Sequence, residues 1–394
     1  MAVPKLRFKA DDGSDYLEWS DFTKLEDISA FITKGATPTT YGFDWQPNGV
    51  YFFRNDCIKN NVFVYGDYSF IAEEANKFLQ RSEVTGGDIV IAITGDIGKV
   101  GLIPSEVKKA NINQHLARVR IVKDAFPYFV YMYLCSDKVQ RTYKKIKTGL
   151  SMPQLSLAQI RDTNIPVVSL PEQQKIAEFL STIDTVIEKQ KETVSAWEER
   201  KKGVMQKLFS QKVRFKADDG SDFPDWEEKK LGEVADVKVG EKPTLVSGNA
   251  AYEYVNAGTT NSGYVDSYNC DGDTVTTPSR GQGGIGYVGY QKCEFWLGPL
   301  CYKIKSNKDD VLTKFMYYAL SFDSKKIVDL KKVGTIPAIN RVDLIELYMS
   351  FPCFAEQQKI ADCLSSLDEV IEKQKATLAA WEELKKGLLQ QMFV

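Results

Sequence analysis

The sequence predicts an α+β protein with two α/β globules separated by two long antiparallel coiled-coil helices, arranged as a pseudo-two-fold internal duplication. The clearest sign is the stretch EQQKIAEFLSTIDTVIEKQKETVSAWEERKKGVMQKLF at 172–209, which returns as EQQKIADCLSSLDEVIEKQKATLAAWEELKKGLLQQMF at 356–393. A second sign is RFKADDGSDYLEW at 7–19, which returns as RFKADDGSDFPDW at 214–226. The chain therefore alternates between repeated segments and divergent regions.

The repeated stretch has apolar residues at alternating steps of four and three, which is the heptad spacing of a coiled coil. We call these positions the seam. In the first copy the seam is Ile176, Leu180, Ile183, Ile187, Gln190, Val194, Trp197, Lys201, Val204 and Leu208. In the second copy it is Ile360, Leu364, Leu367, Ile371, Gln374, Leu378, Trp381, Lys385, Leu388 and Met392.

Glutamine and lysine interrupt both seams at the same two places, so we expect the two helices to face each other. A polar seam residue costs stability but fixes register and partner, and Gln190 and Gln374 are the residues we expect to do so. At 1.5 Å per residue, each helix would be roughly 55 to 60 Å long. That length is typical of a spacer.

The repeat unit begins before the first coil copy ends, because 7–19 returns directly after the coil. Residues equivalent to a continuation of the second coil open the chain, so the two termini should meet in space. Each half must then return to its start, which predicts antiparallel coils. The expected domains are an N-terminal segment 1–19, a first globule 20–170, a central helix 171–212, a second globule 213–355 and a C-terminal helix 356–394.

The divergent regions 20–170 and 227–355 share a framework and differ in content. Both contain short β-rich and aromatic stretches separated by Gly, Asn and Pro, which favours mixed α/β or mostly β globules. FVYMYL from Phe129 and FMYYAL from Phe315 predict one or two helices in each. The strand order does not follow from the sequence.

Composition excludes several classes of protein. The seven cysteines form no CxxC pair and His115 is the only histidine, which argues against a disulfide framework and a zinc site. Reduced thiols and the lack of a long apolar segment favour a cytoplasmic protein that neither enters nor crosses a membrane. The net charge of −2 means that any nucleic-acid site must concentrate its positive charge locally.

No catalytic motif is convincing. GQGGIG at 281–286 fits the dinucleotide fingerprint GxGxxG, but β-rich YVGY follows where a helix should start. GDIGKVG lacks the spacing of a phosphate loop, a single histidine cannot serve a convincing hydrolytic triad, and no Asn-Pro-Pro-Tyr type tetrapeptide is present. We therefore expect no catalysis, cofactor or metal on this chain.

Binding chemistry is easier to find. KVQRTYKKIKTG at 138–149 and KKIVDLKKVG at 325–334 are basic clusters in equivalent places, typical of edges that contact phosphates. TKGATPTTYG, NAGTTNSGY and SRGQGG are polar loops of the kind that read bases. The candidate DNA-binding residues are Lys34, Thr37, Thr39, Tyr41, Lys99, Gln114, His115, Arg141, Lys144, Lys145, Lys147, Lys242, Thr259, Asn261, Ser279, Arg280, Gln282, Lys331 and Lys332.

Over essentially its whole length the chain resembles the DNA-specificity subunit of type I restriction-modification enzymes. The duplicated EQQKIA…LD…IEKQK…WEE…KKG coil carries the resemblance, with KGATPTT, GDIGKVG and NQHLAR as weaker marks. The second globule departs from it, because it is shorter and reads VGTIPAIN where the first reads TGLSMPQL.

The resemblance implies two target recognition domains, each reading one half of a bipartite site in double-stranded DNA, with the coils setting the spacer and docking methyltransferase subunits. It also implies two methyltransferase subunits and restriction subunits as partners. These partners would supply S-adenosylmethionine, ATP and Mg²⁺ chemistry to the complex. The competing hypothesis is a coiled-coil adaptor or scaffold whose globules bind protein, and the basic clusters disfavour it.

Overall fold

The structure, a computed structural model, describes residues 4–122, 125–149, 153–281, 283–332 and 336–393. The chain forms two compact units. Unit 1 comprises Met1–Gln190 with Thr377–Val394, and unit 2 comprises Lys191–Ala376. Each unit combines one globule with part of each long helix, so the coil is shared between the units. In the described part of the chain, no helix is long and apolar enough to cross a membrane.

Unit 1 contains short strands and helices. Its strands are β1 (Phe22–Lys24), β2 (Ser29–Lys34), β3 (Trp45–Gln46), β4 (Val50–Phe53), β5 (Ile58–Lys59), β6 (Val62–Phe63), β7 (Ser69–Ile71), β8 (Glu83–Val84), β9 (Ile89–Ala92), β10 (Val100–Leu102), β11 (Ala110–Ile112), β12 (Leu116–Ile121) and β13 (Asn164–Pro166). Its helices are α1 (Glu73–Phe78), α2 (Pro127–Cys135), α3 (Asp137–Ile146), α4 (Leu157–Arg161) and the first part of α5 (Leu170–Phe209). Short 3-10 helices occupy Leu25–Ile28, Pro38–Tyr41, Asn55–Cys57 and Gln80–Ser82.

Unit 2 is built in the same way. Its strands are β14 (Glu227–Lys230), β15 (Ala235–Val239), β16 (Tyr252–Val255), β17 (Tyr264–Val265), β18 (Thr274–Pro278), β19 (Gly289–Gln291), β20 (Trp296–Leu297), β21 (Cys301–Ser306) and β22 (Tyr348–Phe351). Its helices are α6 (Leu231–Val234), α7 (Thr313–Phe322), α8 (Ser324–Asp329), α9 (Arg341–Ile345) and the first part of α10 (Phe354–Met392).

The sheets of the two units correspond. In unit 1 one sheet has the order β10-β9-β12-β2 and is antiparallel, and a second has the order β3-β7-β4-β11-β8 with β4 and β11 parallel. In unit 2 the sheets β15-β21-β18-β19 and β17-β16-β20 repeat this division, with β16 and β20 parallel. The framework is therefore shared, and the predicted α/β character of both globules is confirmed.

The core of each globule forms around a short apolar helix next to the first sheet. All four residues of β9 are buried, as expected for a central strand with neighbours on both sides. Helix α2 is apolar on nearly every face and buries Phe129 and Met132. Helix α7 buries Phe315 and Met316 in unit 2. The helices predicted near Phe129 and Phe315 are thus present.

In unit 1 the two long helices pack antiparallel. Near the start of α5, Ile176 and Leu180 share a core with Met392 at the end of α10. Further along α5, Asp184 pairs with Lys385, with 2.5 Å between Oδ1 and Nζ. Residue numbers on α10 fall as those on α5 rise, so the helices run in opposite directions.

Unit 2 shows the same direction of packing. Leu208, near the end of α5, shares a core with Ile360 and Leu364 near the start of α10. Lys201 pairs with Asp368, with 2.5 Å between Nζ and Oδ1. The prediction of antiparallel coils is confirmed in both units, whereas the register role of Gln190 and Gln374 stays a prediction.

The N-terminal segment of the chain joins the end of α10 and the start of α5. The backbone N–H of Leu6 donates to the carbonyl of Gln391 at 3.3 Å. Arg7 and Trp19 both donate to the carboxylate of Glu172, at 2.9 and 3.1 Å, and Glu172 is buried. The expected meeting of the two ends of the chain is therefore seen in the described residues.

Unit 2 repeats this junction within the continuous chain. The backbone N–H of Val213 donates to the carbonyl of Lys207 at 3.3 Å. Arg214 and Trp226 both donate to the buried carboxylate of Glu356, at 2.7 and 3.2 Å. Matching contacts in both units confirm the internal duplication at the level of individual side chains.

Candidate nucleic-acid interface

In unit 1, the loop after β2 is brought close to the turn before β12 by a glycine. A Cβ on Gly35 would lie 2.1 Å from the carbonyl oxygens of Ile112 and Asn113, so only glycine fits there. The N–H of Gly35 donates to the carbonyl of Leu116 at 3.0 Å. The loop that carries Thr37 and Thr39 is therefore fixed beside Gln114 and His115.

Polar side chains from these two segments form a hydrogen-bonded chain. The Thr37 hydroxyl donates to Oε1 of Gln114. The Gln114 amide lies 3.1 Å from Nε2 of His115, and Nδ1 of His115 lies 2.6 Å from the hydroxyl of Thr94. If the Gln114 amide donates to Nε2, then Nδ1 donates to the Thr94 hydroxyl. The structure thus groups three predicted residues with Thr94, which the sequence analysis missed.

Unit 2 has the same loop with different side chains. A Cβ on Gly240 would lie 1.8 Å from the carbonyl oxygen of Leu297. The N–H of Glu241 donates to that oxygen at 2.9 Å. Lys242 follows and is exposed, at the position that Thr37 occupies in unit 1. One framework position therefore presents a hydroxyl in one globule and a cation in the other.

An exposed aromatic pair lies beside the loop of unit 1. Tyr41 and Phe78 are 48% and 62% exposed, and their ring centroids are 5.4 Å apart. Lys77 and Arg81 flank Phe78, and among the described residues neither makes an ion pair. Glu74 lies one helical turn before Phe78, so the patch is of mixed charge. Rings between cations are typical of surfaces that contact nucleic acid.

The basic cluster of unit 1 lies largely on α3. Val139 and Tyr143 are buried at a spacing of four, which leaves Lys144, Lys145 and Arg141 on the exposed face. Arg141 pairs weakly with Asp137 at 3.4 Å. The exposed cations are thus held on a rigid helix by an apolar face.

The cluster continues into a concavity of about 570 Å³ in the same globule. Lys144 and Lys147 line it together with Lys99, which lies in the GDIGKVG turn and pairs with Asp96 at 2.5 Å. Its polar wall is completed by Asn60, Asn61, Gln140 and Asp137. Three lysines predicted from two separate stretches of sequence therefore line one concave surface.

The basic cluster of unit 2 has more acidic residues around it than the cluster of unit 1. Lys331 and Lys332 are exposed and line a concavity of about 560 Å³ with Asp343 and Glu346. Lys332 pairs with Asp343 at 3.0 Å. Half of the local positive charge is therefore neutralised, so this cluster is the weaker candidate for phosphate contacts.

Each unit has a junction at which one residue forms isolated β-bridges to two other segments of the chain. In unit 1, Gln154 forms isolated β-bridges to both Thr94 and Thr148. In unit 2, Ala338 bridges Arg280 and Lys332 in the same way. The backbone is repeated while hydroxyls are exchanged for cations, as expected if the two globules contact different base sequences.

Two predicted residues of unit 2 lie in a polar pocket of about 350 Å³. Thr259 and Asn261 line it with Glu253, Tyr287 and Gln291. Glu253 is exposed and makes no ion pair among the described residues. The pocket therefore presents both hydrogen-bond donors and an anionic acceptor.

Two other predicted residues are placed differently. Ser279 is only 5% exposed, and its backbone bonds to Leu300 and Ile339, so its position is structural. Gln282 lies outside the described residues. The missed residues Lys77, Phe78 and Arg81 had a sequence signal, because an aromatic residue between cations ends a short polar helix.

Two globules that share a framework but differ in exposed polar and cationic side chains, each packed on the same two long helices, are typical of a DNA-recognition protein. The chain belongs to the family described as "Type I restriction modification DNA specificity domain", which matches residues 17–195 and 224–380. The two matches place one copy in each half of the chain. This confirms the predicted resemblance and the prediction of a non-catalytic specificity subunit.

Known relatives and solved structures agree with the family. The type I restriction enzyme MjaVIII specificity subunit of Methanocaldococcus jannaschii is 25% identical over 378 residues, covering 82% of this chain and 84% of that protein. The crystal structure of a type I restriction-modification S subunit from M. genitalium matches with a TM-score of 0.65 at 18% identity, covering 100% and 99% of the two chains. A structure from a study of type I restriction-modification complex assembly matches with a TM-score of 0.52. The fold is therefore that of S subunits over the whole chain.

Proposed function

We propose that this chain recognises double-stranded DNA for a type I restriction-modification complex, with each globule reading one half of a bipartite site. The observation that carries the proposal is the pair of equivalent loops. Gly35 and Gly240 hold the same backbone against the same framework position, while the side chains that follow differ. A fixed scaffold with exchanged polar loops is what two different half-sites require.

The basic cluster and the polar loops would make different contacts with DNA. Lys144, Lys145 and Lys147 are exposed next to one another and would contact phosphates, which adds affinity without sequence information. The loop with Thr37, Thr39 and Tyr41 and the polar pocket with Thr259 would contact base edges. The net charge of −2 is compatible with this because the cations are local.

Partner subunits complete the proposal. Methyltransferase subunits, expected to be two, and restriction subunits would assemble with this chain, which would belong in the cytoplasm. S-adenosylmethionine, ATP and Mg²⁺ would bind to those partners. In the described residues, no group of three or more His, Cys, Asp and Glu side chains is arranged to hold a metal ion.

The experiment is a DNA-binding titration of the complex with its methyltransferase subunits across a salt series. Replacing Lys144, Lys145 and Lys147 by Gln should weaken binding to every sequence. The slope of log affinity against log salt should flatten by about one unit for each phosphate that the variant no longer neutralises. A matched control replaces three exposed lysines of the coil, Lys202, Lys207 and Lys386, by Gln, and we expect its slope to stay unchanged.

The same titration tests the adaptor hypothesis. If the unaltered complex binds DNA without sequence preference and without salt dependence, the globules do not recognise DNA and protein binding becomes the better account. An unchanged slope in the triple variant alone would show that the basic cluster is a solvated surface, and the residues that contact phosphates would then have to be sought elsewhere in the globule.

A further inference from the structure

Each seam lysine lies where an apolar residue would be expected. Lys385 and Lys201 are only 15% and 19% exposed. A cation at such a position is costly unless it is paired. Lys385 pairs with Asp184 and Lys201 pairs with Asp368, each at 2.5 Å across the two helices. The lysine interruptions of both seams are therefore cross-helix ion pairs.

A tyrosine of the globule takes the second oxygen of each aspartate. Tyr128 of α2 donates to Oδ2 of Asp184 at 2.5 Å, and Tyr318 of α7 donates to Oδ2 of Asp368 at 2.7 Å. Burial raises the pKa of Tyr128 and of Tyr318, and the neighbouring aspartate raises each further, so both hydroxyls remain donors. We call each tyrosine, aspartate and lysine set a clasp.

The clasps were not simply copied by the duplication. Aligning FVYMYL with FMYYAL places Tyr318 opposite Met132, and Tyr128 opposite Lys314. The two tyrosines therefore lie one helical turn apart on equivalent helices, yet both reach the equivalent aspartate. The same contact is made from two different sequence positions, which indicates that the contact itself matters.

Other hydrogen bonds also join the globules to the coil. The backbone N–H groups of Phe126 and Leu312 donate to Oε1 of Gln173 and Gln357, at 2.8 and 2.9 Å, and the hydroxyls of Tyr318 and Ser365 lie 3.3 Å apart.

At the coil ends the contacts are aromatic. Phe129 packs on Phe393, and Phe315 packs on Phe209, each with centroids 5.7 Å apart. Apolar contacts are non-directional, so these ring contacts do not by themselves fix the angle of a globule on the coil. A hydrogen bond to a carboxylate that is itself held by a lysine is directional.

We propose that the two clasps are positioning devices that fix the angle of each recognition globule on the coil and thereby restrict the spacer lengths that the protein accepts. This inference rests on the proposed function. Tyr128, Tyr318 and the seam lysines would then contribute to DNA specificity without touching DNA. The base sequence of each half-site would be read independently of them.

The test uses the complex with its methyltransferase subunits and the double variant Tyr128→Phe with Tyr318→Phe. Binding is measured on duplexes that carry the preferred half-sites with the preferred spacer, and with spacers one and two base pairs shorter or longer. We expect the preference for the native spacer to fall by about tenfold or more, since each of the two charge-assisted hydrogen bonds removed can supply a factor of about ten. Half-site base preferences should not change.

Tyr143→Phe is the matched control. It removes a buried hydroxyl that bonds Thr163 at 2.9 Å within the globule, so spacer preference should stay as in the unaltered complex. The single variants Tyr128→Phe and Tyr318→Phe serve if the double variant does not fold, as judged by circular dichroism melting. A folded variant that binds DNA with undiminished spacer preference would overturn the clasp proposal alone. Failure of the unaltered complex to prefer any bipartite site would instead overturn the proposed function.

Discussion

Gly35 shows how one residue without a side chain positions a reading loop. Because a Cβ there would lie 2.1 Å from two backbone carbonyl oxygens, Gly35→Ala must displace β2 or the turn before β12. We expect a loss of about 3 kcal/mol or more in the free energy of unfolding, in the range of severe steric changes. Urea denaturation measures it.

Gly203→Ala is the control for that change. Gly203 lies inside α5 with nothing within 4 Å of an added Cβ, so alanine should stabilise the helix by about 0.5 to 1 kcal/mol. If Gly35→Ala were as stable as the unaltered protein, the close approach of the loop to β11 and β12 would be wrong.

Two cysteines of unit 2 differ in burial, so their thiols should differ in reactivity. Burial raises the pKa of Cys301 to about 12, whereas Cys293 is exposed. Because the thiolate is the reactive form, Cys293 should be labelled rapidly at pH 8 and Cys301 only after unfolding. Between pH 8 and 10 the labelling of folded Cys301 should rise with pH without reaching a plateau. Mass spectrometry of alkylated protein gives both rates, and rapid labelling of Cys301 in the folded protein at pH 8 would contradict the core of unit 2.

Replacing Phe78 tests the exposed aromatic pair of unit 1 as a DNA contact without changing any charge. Phe78→Ala removes an exposed ring next to Tyr41 and changes no charge. We expect affinity for the preferred site to fall by roughly five- to tenfold, as for the loss of one apolar contact with a base edge in a groove, with the salt slope intact. Leu17→Ala, at a residue that is 90% exposed and outside the loops, is the control. If the affinity fell equally in Phe78→Ala and in Leu17→Ala, the aromatic pair would not be part of the DNA interface.

Helices α5 and α10 were predictable because the apolar spacing that indicates each of them lies within one continuous stretch of sequence. Seam residues recur every three or four positions, and the structure buries Ile176, Leu180, Ile360 and Leu364 as that spacing requires. The lysine interruptions were also visible in the sequence. Their aspartate and tyrosine partners were not, since these residues come from the opposite helix and from the globule.

The sheets could not be ordered from the sequence. The parallel pairing of β4 with β11 joins Tyr51 to Ala110, and that of β16 with β20 joins Tyr254 to Trp296. Such contacts depend on distant segments, and strands of two to six residues carry too little pattern to specify a partner. For the same reason the loops of the interface were predicted as sets of polar residues, while the contact of His115 with Thr94 was not.

The direction of the coil can be tested with a charge exchange. Lys201→Glu alone places like charges beside Asp368 and should destabilise unit 2 by about 3 kcal/mol. Combining it with Asp368→Lys restores opposite charges and should recover about half or more of that loss, less the Tyr318 hydrogen bond to the aspartate. Thermal unfolding of Lys201→Glu, of Asp368→Lys and of the double variant, each compared with the unaltered protein, gives the coupling energy between the two residues. No recovery in the double variant would mean that the two residues are not partners in solution.

At the scale of the whole chain, the duplication explains why two similar junctions exist. The noncovalent contact of Leu6 with Gln391 in unit 1 corresponds to the contact of Val213 with Lys207 within the continuous chain of unit 2. In each unit, an Arg and a Trp of the repeated segment before the globule donate to the same buried Glu of a long helix. Two equivalent attachments on shared helices are what a protein needs if it is to hold two reading surfaces at a set separation.

The central claim is that two half-sites are read at a separation set by the coil. Four residues inserted after Thr193 and four after Thr377 lengthen both helices by about 6 Å. Because DNA rises 3.4 Å per base pair, the preferred spacer should lengthen by about one or two base pairs.

The measurement is selection of bound sequences from a random duplex library by the unaltered complex and by this double-insertion variant. The account predicts a bipartite site in both selections, with the same two half-sites and a longer spacer for the variant. A single contiguous site, or a spacer that stays fixed in a folded, DNA-binding variant, would contradict it.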